Sequence, residues 1–273
     1  FRWFLGWASA VMAAYLVFLL FQPLPIFPRA YMVANVSMFF SFALFVNWLI
    51  DHRARTIFET NRALEAEKAK TEDLLYNVLP QGIANRLRAG EAVADSFSDL
   101  TVIFSDIVGF STLAKTMSPG HLVRLLNEFF LLADQCAERH GIEKVKTIGD
   151  AYLAVSGGTV SSQGGACEAI NFARDLVLAM RELAEKSGVN ITLRVGLHTG
   201  PVVGGVVGSA RLAYDYWGDT MNIASRIEGA ATPGGIALSE ATALACGKGY
   251  DFSAPEAVTL KGVGEMLIRR MEV

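Results

Sequence analysis

Two long stretches without a charged residue open the chain and constrain its fold more than any other feature. They cover residues 3–21 and 30–50 of the 273-residue sequence. A helix of about 20 residues, at ~1.5 Å per residue, spans the ~30 Å hydrocarbon core of a bilayer. The sequence therefore predicts two transmembrane helices. We expect a loop over residues 22–29, where Pro23, Pro25 and Pro28 prevent helix continuation.

Positive charge is distributed unevenly around these stretches. Arg53, Arg55 and Arg62 follow the second one and Arg2 precedes the first, whereas the connecting loop offers only Arg29. The positive-inside rule then places the large C-terminal part in the cytoplasm. We expect a multi-pass protein of the cell membrane, with residues 1–50 as an anchor that ends a longer membrane domain. A secretory signal is the main alternative for the first stretch.

Residues 51–79 predict a helix that continues from the second stretch. They contain no glycine or proline and are rich in Ala, Glu, Lys, Leu and Arg, and Pro80 follows. A seven-residue spacing, with Leu74 at a d-like position, favours a short parallel coiled coil. The spacing is formed by Ile57, Leu64, Thr71 and Val78. A solvated spacer helix is the alternative, and we assign residues 51–94 to this cytoplasmic linker.

Helix and strand patterns alternate from residue 95 to residue 273. Two helices are predicted by apolar residues at helical spacing. The first stripe is Leu122, Leu125, Leu126, Phe129 and Ala133, and the second is Ala166, Ile170, Ala173, Val177, Met180 and Ala184. The order strand, helix, hairpin, helix, strand is that of a ferredoxin-like βαββαβ fold. We therefore predict an α+β domain over residues 95–273.

Two aspartates stand at the ends of predicted strands. Asp106 follows the apolar run of TVIFSDIVGFS at residues 101–111, and Asp150 lies in the hairpin turn of VKTIGDAYLAV at residues 145–155. Carboxylates on neighbouring strands can hold hard divalent cations near a phosphate. A helix cap for the first aspartate and an ordinary Gly-Asp turn for the second are the alternatives.

A further polar segment covers residues 213–227. If a helix begins near Asp219, Asn222 and Arg226 lie one turn apart on one face, while Ile223 and Ile227 face the core. An asparagine and an arginine so placed can contact a sugar and its phosphate together. The alternative is a surface face on which a carboxylate, such as Glu228 of a neighbour, pairs with the arginine.

The glycine-rich run at residues 196–208 invites comparison with a phosphate-binding loop. It has neither the GxxxxGK[ST] spacing nor a lysine. We therefore expect bent strands whose backbone is closely approached by other segments.

Overall composition narrows the possible partners. The net charge of −3 and the pI near 5.9 argue against nucleic-acid binding, which needs a basic surface. The three cysteines, Cys136, Cys167 and Cys246, lack metal-ligand spacing and predict buried thiols in a reducing compartment.

Four motifs occur in a recognisable order: SDIVGFS, KTIGDAYLA, HTGPVVGGVVG and YDYWGDTMNIASR. In this order they resemble the class III nucleotidyl cyclases, specifically the membrane-anchored, homodimeric adenylyl cyclases of bacteria. The resemblance covers residues 95–273, and LLYNVLP at residues 74–80 is similar to the segment that leads into these domains.

The resemblance implies a role for each matching residue. Asp106 and Asp150, with the backbone carbonyl of Ile107, match the ligands of two Mg²⁺ or Mn²⁺ ions. The pair that recognises adenine is matched by Lys146 and Asp215. The remaining matches are Asn222 for ribose orientation, Arg226 for the transition state and Lys261 for the terminal phosphates. Pro201 stands where some mammalian catalytic halves carry a basic residue.

Base chemistry favours ATP as the substrate. Adenine presents an acceptor at N1 and a donor at N6, which suit Lys146 and Asp215, whereas guanine reverses both and leaves buried groups unpaired. We therefore expect attack of the ribose 3′-hydroxyl on the α-phosphate, giving 3′,5′-cyclic AMP and pyrophosphate. The resemblance also implies active sites at a homodimer interface. A guanylyl cyclase and a catalytically silent nucleotide-binding membrane receptor are the alternatives.

Overall fold

The computed structural model describes residues 2–21, 26–76, 79–159, 165–208, 212–247 and 249–273. The chain divides into two compact units, Phe1–Leu74 and Leu75–Val273.

The first unit is built from two helices, α1 (Arg2–Leu20) and most of α2 (Ile26–Tyr76). Among the described residues, one helix, Ala30–Glu72, is long and apolar enough to cross a membrane, and Gly6–Phe18 is a shorter apolar helix. The second predicted span is therefore supported by length and composition, and the first stays a prediction.

The loop predicted over residues 22–29 is wrong at its C-terminal end. Helix α2 begins at Ile26, so Pro28 lies in its first turn. Proline is tolerated there because the first N–H groups of a helix have no intrahelical acceptor. Pro23 and Pro25 lie outside the described residues.

The predicted linker helix is confirmed as far as Tyr76, since α2 runs through residues 51–76 without a break. Asn77 and Val78 lie outside the described residues. Ile57 and Leu64 are 60% and 49% exposed in the single chain. The coiled coil that would cover them stays a prediction.

The second unit is an α+β domain around one mixed sheet. Its elements are α3 (Gln81–Arg88), β1 (Ala94–Ile107), α4 (Phe110–Thr116), α5 (Pro119–His140), β2 (Glu143–Ile148), β3 (Ala151–Ser156), α6 (Ala166–Ser187), β4 (Leu193–Val206), β5 (Tyr214–Trp217), α7 (Asp219–Ala230), β6 (Ile236–Ser239), α8 (Glu240–Cys246), β7 (Glu256–Leu260) and β8 (Gly264–Met271). The strand order is β2-β3-β1-β4-β6-β8-β7, and β5 pairs with β4.

The first four strands confirm the predicted βαββαβ plan. Antiparallel β1 lies between β3 and β4, and α5 and α6 follow β1 and β3 along the chain. Both predicted helical stripes face the core. Their fully covered members include Phe129, Ala133, Ile170 and Ala173, which join Tyr152 and Leu197 in the largest buried cluster.

A second cluster, which includes Ala224 of α7, holds α3 against the sheet. Leu79, Ile83 and Ala84 are buried with Val102 and Val155. Helix α3 therefore packs on the sheet although the sequence placed it in the linker. The assignment of residues 1–50, 51–94 and 95–273 to three parts stays a prediction.

The expectation of three thiols is wrong. Cys167 of α6 and Cys246 of α8 form a disulfide across 79 residues of sequence, and Cys136 is free and buried. The pairing could not be predicted from the sequence because it depends on the packing of two helices that are distant along the chain.

Candidate active site

The two predicted metal ligands lie together at one end of the central strands. Asp106 is the penultimate residue of β1, and Asp150 lies in the turn between β2 and β3. The antiparallel pairing of Ser105 with Tyr152 brings these positions together. Burial, then a hydrogen bond and charge repulsion from Asp106, raise the pKa of Asp150 to about 6. Two carboxylates held this close together attract a cation strongly.

The donor set fits a hard divalent ion that arrives with a phosphate. Among the described residues, no cluster of three or more His, Cys, Asp and Glu side chains could hold a metal ion unaided. Mg²⁺ characteristically uses one or two carboxylates and completes its coordination with water and substrate phosphates. Asp106 and Asp150 supply that number, and the Ile107 carbonyl stays a predicted third ligand.

Arg194 is a site residue that sequence reasoning missed. It faces Asp106 across the β1–β4 pair, and its Nη2 lies 3.5 Å from Asp106 Oδ2. Its Nε lies 3.0 Å from Glu228 Oε1 on α7. The available signal was a charged residue between Leu193 and Val195 in a buried strand. Its guanidinium places positive charge beside the carboxylates.

Glu228 is held in this position by a close approach of helix to strand. A Cβ on Gly196 of β4 would lie 2.2 Å from the Glu228 backbone nitrogen and 2.7 Å from the Ala224 carbonyl oxygen. This confirms the close backbone approach expected for the glycine-rich run. Burial raises the pKa of Glu228 to about 7, although Arg194 opposes the shift.

The proposed adenine-recognition residues also meet in space. Lys146 of β2 and Asp215 of β5 form an ion pair, and both side chains remain partly exposed. Asp215 Oδ1 also accepts a hydrogen bond from the Tyr216 backbone N–H at 2.9 Å. A donor and an acceptor therefore stand side by side at the surface.

Helix α7 begins at Asp219, as predicted, and presents Asn222 and Arg226 to solvent while Ile227 is buried. Within the described parts of the chain, neither exposed side chain bonds to Asp106 or Asp150. Glu228, the alternative type of partner for Arg226, pairs with Arg194 instead. The two residues remain available to a ligand or another chain.

Lys261 is exposed in the turn between β7 and β8. Strand β7 ends the sheet on one side and β2, which carries Lys146, ends it on the other. The structure therefore does not bring Lys261 together with the base-recognition pair.

Comparison with known proteins decides the family. A family model described as the adenylate and guanylate cyclase catalytic domain matches residues 92–271, well over half of the chain. The chain belongs to this cyclase family. Its members bind a nucleotide, generally use divalent metal ions and typically form dimers with active sites at the interface.

The related cyclases include both substrate classes. An adenylate cyclase of Mycobacterium tuberculosis is 41% identical over 179 residues, which are 65% of this chain and 40% of that protein. The mouse protein Guanylate cyclase 2G is 37% identical over 245 residues, 87% of this chain and 22% of that protein. The chain thus spans less than half the length of either relative.

Solved cyclase structures share the fold. The guanylate cyclase domain of RhGC from Catenaria anguillulae, in complex with GTP, is 34% identical with a TM-score of 0.60, covering 64% of this chain and 97% of that one. The adenylyl cyclase CyaB from P. aeruginosa is 26% identical with a TM-score of 0.60, covering 65% and 94%. These likenesses support nucleotide cyclase chemistry and leave the choice between ATP and GTP to the site itself.

Proposed function

We propose that the chain is an adenylyl cyclase that converts ATP to 3′,5′-cyclic AMP and pyrophosphate. The observation that carries this proposal is the pairing of Lys146 with Asp215. An ammonium can donate to adenine N1 and a carboxylate can accept from N6. Guanine would instead present a donor to Lys146 and an acceptor to Asp215. We expect these mismatches to favour ATP over GTP by about 10²-fold or more.

A guanylyl cyclase is the second candidate because guanylate cyclases are among the relatives. Guanylyl cyclases that this sequence resembles place an acidic residue at the position of Lys146 and commonly a cysteine at that of Asp215. Both substitutions would suit the donors and acceptors of guanine. This chain has neither.

The end of the central strands where Asp106 and Asp150 lie would hold two Mg²⁺ or Mn²⁺ ions through these two carboxylates and the Ile107 carbonyl. Bound divalent ions lower the pKa of an attacking hydroxyl and neutralise charge on a departing phosphate. Such ions would relieve the charge repulsion between Asp106 and Asp150 that contributes to the raised pKa of Asp150. Without them, the paired carboxylates would repel a triphosphate.

The remaining side chains position ATP for an intramolecular attack. Asn222 would orient the ribose so that its 3′-hydroxyl faces the α-phosphorus. Arg226, one turn further along α7, would stabilise the charge that develops on the α-phosphate. Lys261 would hold the terminal phosphates. Expulsion of pyrophosphate then closes the cyclic ring.

We propose that two chains share each active site in a homodimer. Asn222 and Arg226 are exposed, so they can serve a partner's aspartates. Apolar side chains are also exposed on β2, β4 and β5: Ile148 at 51%, Val203 at 50% and Trp217 at 41%. Val203 and Trp217 are paired neighbours in the sheet. A second copy that covered them would gain hydrophobic stabilisation.

We further propose that α1 and the first part of α2 form two membrane spans with the catalytic unit in the cytoplasm. Apolar side chains exposed along both helices, such as Phe18 and Phe42, support contact with lipid. The arginines that follow residue 50 support the orientation.

A turnover assay on the full chain in detergent micelles tests the proposed function. With Mn²⁺, the wild type should form cyclic AMP from ATP much faster than cyclic GMP from GTP. Asp106→Ala should lose about 10³-fold in turnover, since metal assistance contributes several kcal/mol. Asp99→Ala is the matched control, because Asp99 is an exposed aspartate on the same strand. A preference for GTP, or an active Asp106→Ala variant, would refute the assignment.

A further inference from the structure

Strand β5, which carries Asp215, is short. Among the strands that the structure describes, its four residues pair with β4 alone, where Tyr214 lies opposite Val206 and Asp215 opposite Gly205. A two-stranded ladder of this length contributes few hydrogen bonds. The position of Asp215 therefore depends on how the side chains of β5 are anchored.

The flanking tyrosines provide that anchorage. Side chains alternate along a strand, so Tyr214 and Tyr216 lie on the face opposite Asp215. Both are buried, and their rings meet edge to face with centroids 5.3 Å apart. Tyr216 donates to Glu143 Oε1 at 2.9 Å, which ties β5 to β2, the strand that carries Lys146.

Tyr214 is tied in the other direction, to β1 and α3. Its hydroxyl donates to Asp95 Oδ2 at 2.9 Å, and Arg86 Nη1 of α3 donates to Asp95 Oδ1 at 2.8 Å. Asp95 uses one oxygen for each partner. The three residues form a continuous chain of hydrogen bonds from α3 to the residue next to Asp215, which we call the Arg86–Asp95–Tyr214 chain.

Gly204 leaves the space through which this chain passes. It lies opposite Asp95 in the β1–β4 pair. A Cβ at this position would come within 2.3 Å of the Tyr214 hydroxyl oxygen. The absence of a side chain at Gly204 thus allows the Tyr214 phenol to reach across β4 to β1.

We infer that Asp95 and Tyr214 are positioning residues for Asp215, and that Arg86 fixes them to α3. Their loss would let β5 shift and would misplace the carboxylate that reads the purine N6. The inference rests on the proposed function, because it assigns the reading of the base to Asp215. Its distinctive consequence is a change in base selectivity, which a loss of stability alone does not produce.

The test compares Tyr214→Phe with Tyr250→Phe in the full chain. The control also removes a phenol hydroxyl. The Tyr250 hydroxyl donates to Asn171 Oδ1 at a distance of 2.9 Å, and this hydrogen bond does not involve β5. KM and kcat are measured separately for ATP and GTP, together with thermal unfolding. Tyr214→Phe should raise the KM for ATP and lower the ratio of kcat/KM for ATP over GTP by roughly three- to tenfold. Tyr250→Phe should leave this ratio unchanged.

A second variant keeps the inference testable if Tyr214→Phe does not fold. Asp95→Asn retains an acceptor for Tyr214 and removes the charge that pairs with Arg86. It should lower the same ratio, and its effect should not add to that of Arg86→Gln, because the two changes break one chain of bonds.

The outcomes separate the two proposals. If the wild type forms cyclic AMP and both Tyr214→Phe and Asp95→Asn retain its ATP over GTP ratio, the positioning role is refuted and the proposed function stands. If the wild type forms no cyclic AMP, both fail.

Discussion

Replacing Gly196 with alanine tests the packing that positions helix α7. The added Cβ would lie 2.2 Å from the Glu228 nitrogen and 2.5 Å from its Cα. Carbon and other heavy atoms prefer separations of about 3.5–4.0 Å, so α7 must move away by more than ~1 Å. The obstacle is backbone, which cannot rotate aside as a side chain does.

The expected cost follows from this displacement. Overpacking of a core typically costs 1–3 kcal/mol, and a backbone clash belongs at the upper end, about 3 kcal/mol. For a domain of 150–250 residues, 1 kcal/mol shifts Tm by about 2–4 °C, so Tm should fall by roughly 6–12 °C. Because α7 carries Asn222 and Arg226, a shift of ~1 Å should also lower kcat by about 10²-fold.

Gly229→Ala is the matched control, one residue beyond Glu228 on the same helix. A Cβ there meets nothing within 4 Å. Alanine is the better helix former by about 0.5–1 kcal/mol, so this variant should be slightly stabilised and fully active. Thermal unfolding by circular dichroism and cyclic AMP formation are measured on the full chain in detergent. A Gly196→Ala variant that matches the wild type in both would refute the packing argument.

Three other outcomes are expected. Lys146→Glu combined with Asp215→Cys should shift preference from ATP toward GTP by about 10²-fold, since the donors and acceptors then suit guanine; retained ATP selectivity in the turnover assay would contradict base reading by this pair. Mixing Asp106→Ala and Asn222→Ala chains should restore cyclic AMP formation, because each heterodimer then contains one intact site; verified heterodimers without activity would exclude shared sites. In metal-free buffer, wild-type stability should fall relative to Glu228→Gln as the pH rises from about 4.5 to 7, by up to roughly 3 kcal/mol. The pKa of Glu228 is raised to about 7 from an ordinary 4.5, so the folded state retains a proton there that the unfolded state has released. An equal pH dependence of the free energy of unfolding in the two proteins over this range would contradict a cost of burying the Glu228 carboxylate.

Local patterns carried most of the fold prediction. The apolar stripe of α5 and the uncharged stretch inside α2 depend on hydrophobic residues spaced at short range, and both were correctly predicted to be helical. Pro28 misled because a proline is compatible with the first turn of a helix as well as with a loop. Asp106 was selected as a candidate metal ligand from the end of a predicted strand, and Asp150 from a predicted hairpin turn. Both are local features of the sequence.

Short-range patterns were enough to predict the helix that runs on past residue 50, the apolar faces of α5 and α6, and the placement of Asp106 and Asp150, since these features depend on neighbours a few positions apart. The tertiary structure was needed to show that Arg194 lies between Asp106 and Glu228, that Cys167 bonds to Cys246, and that Tyr214 reaches Asp95 across 119 residues of sequence. Such contacts depend on strand register and helix packing, which the whole chain settles together and no single segment encodes.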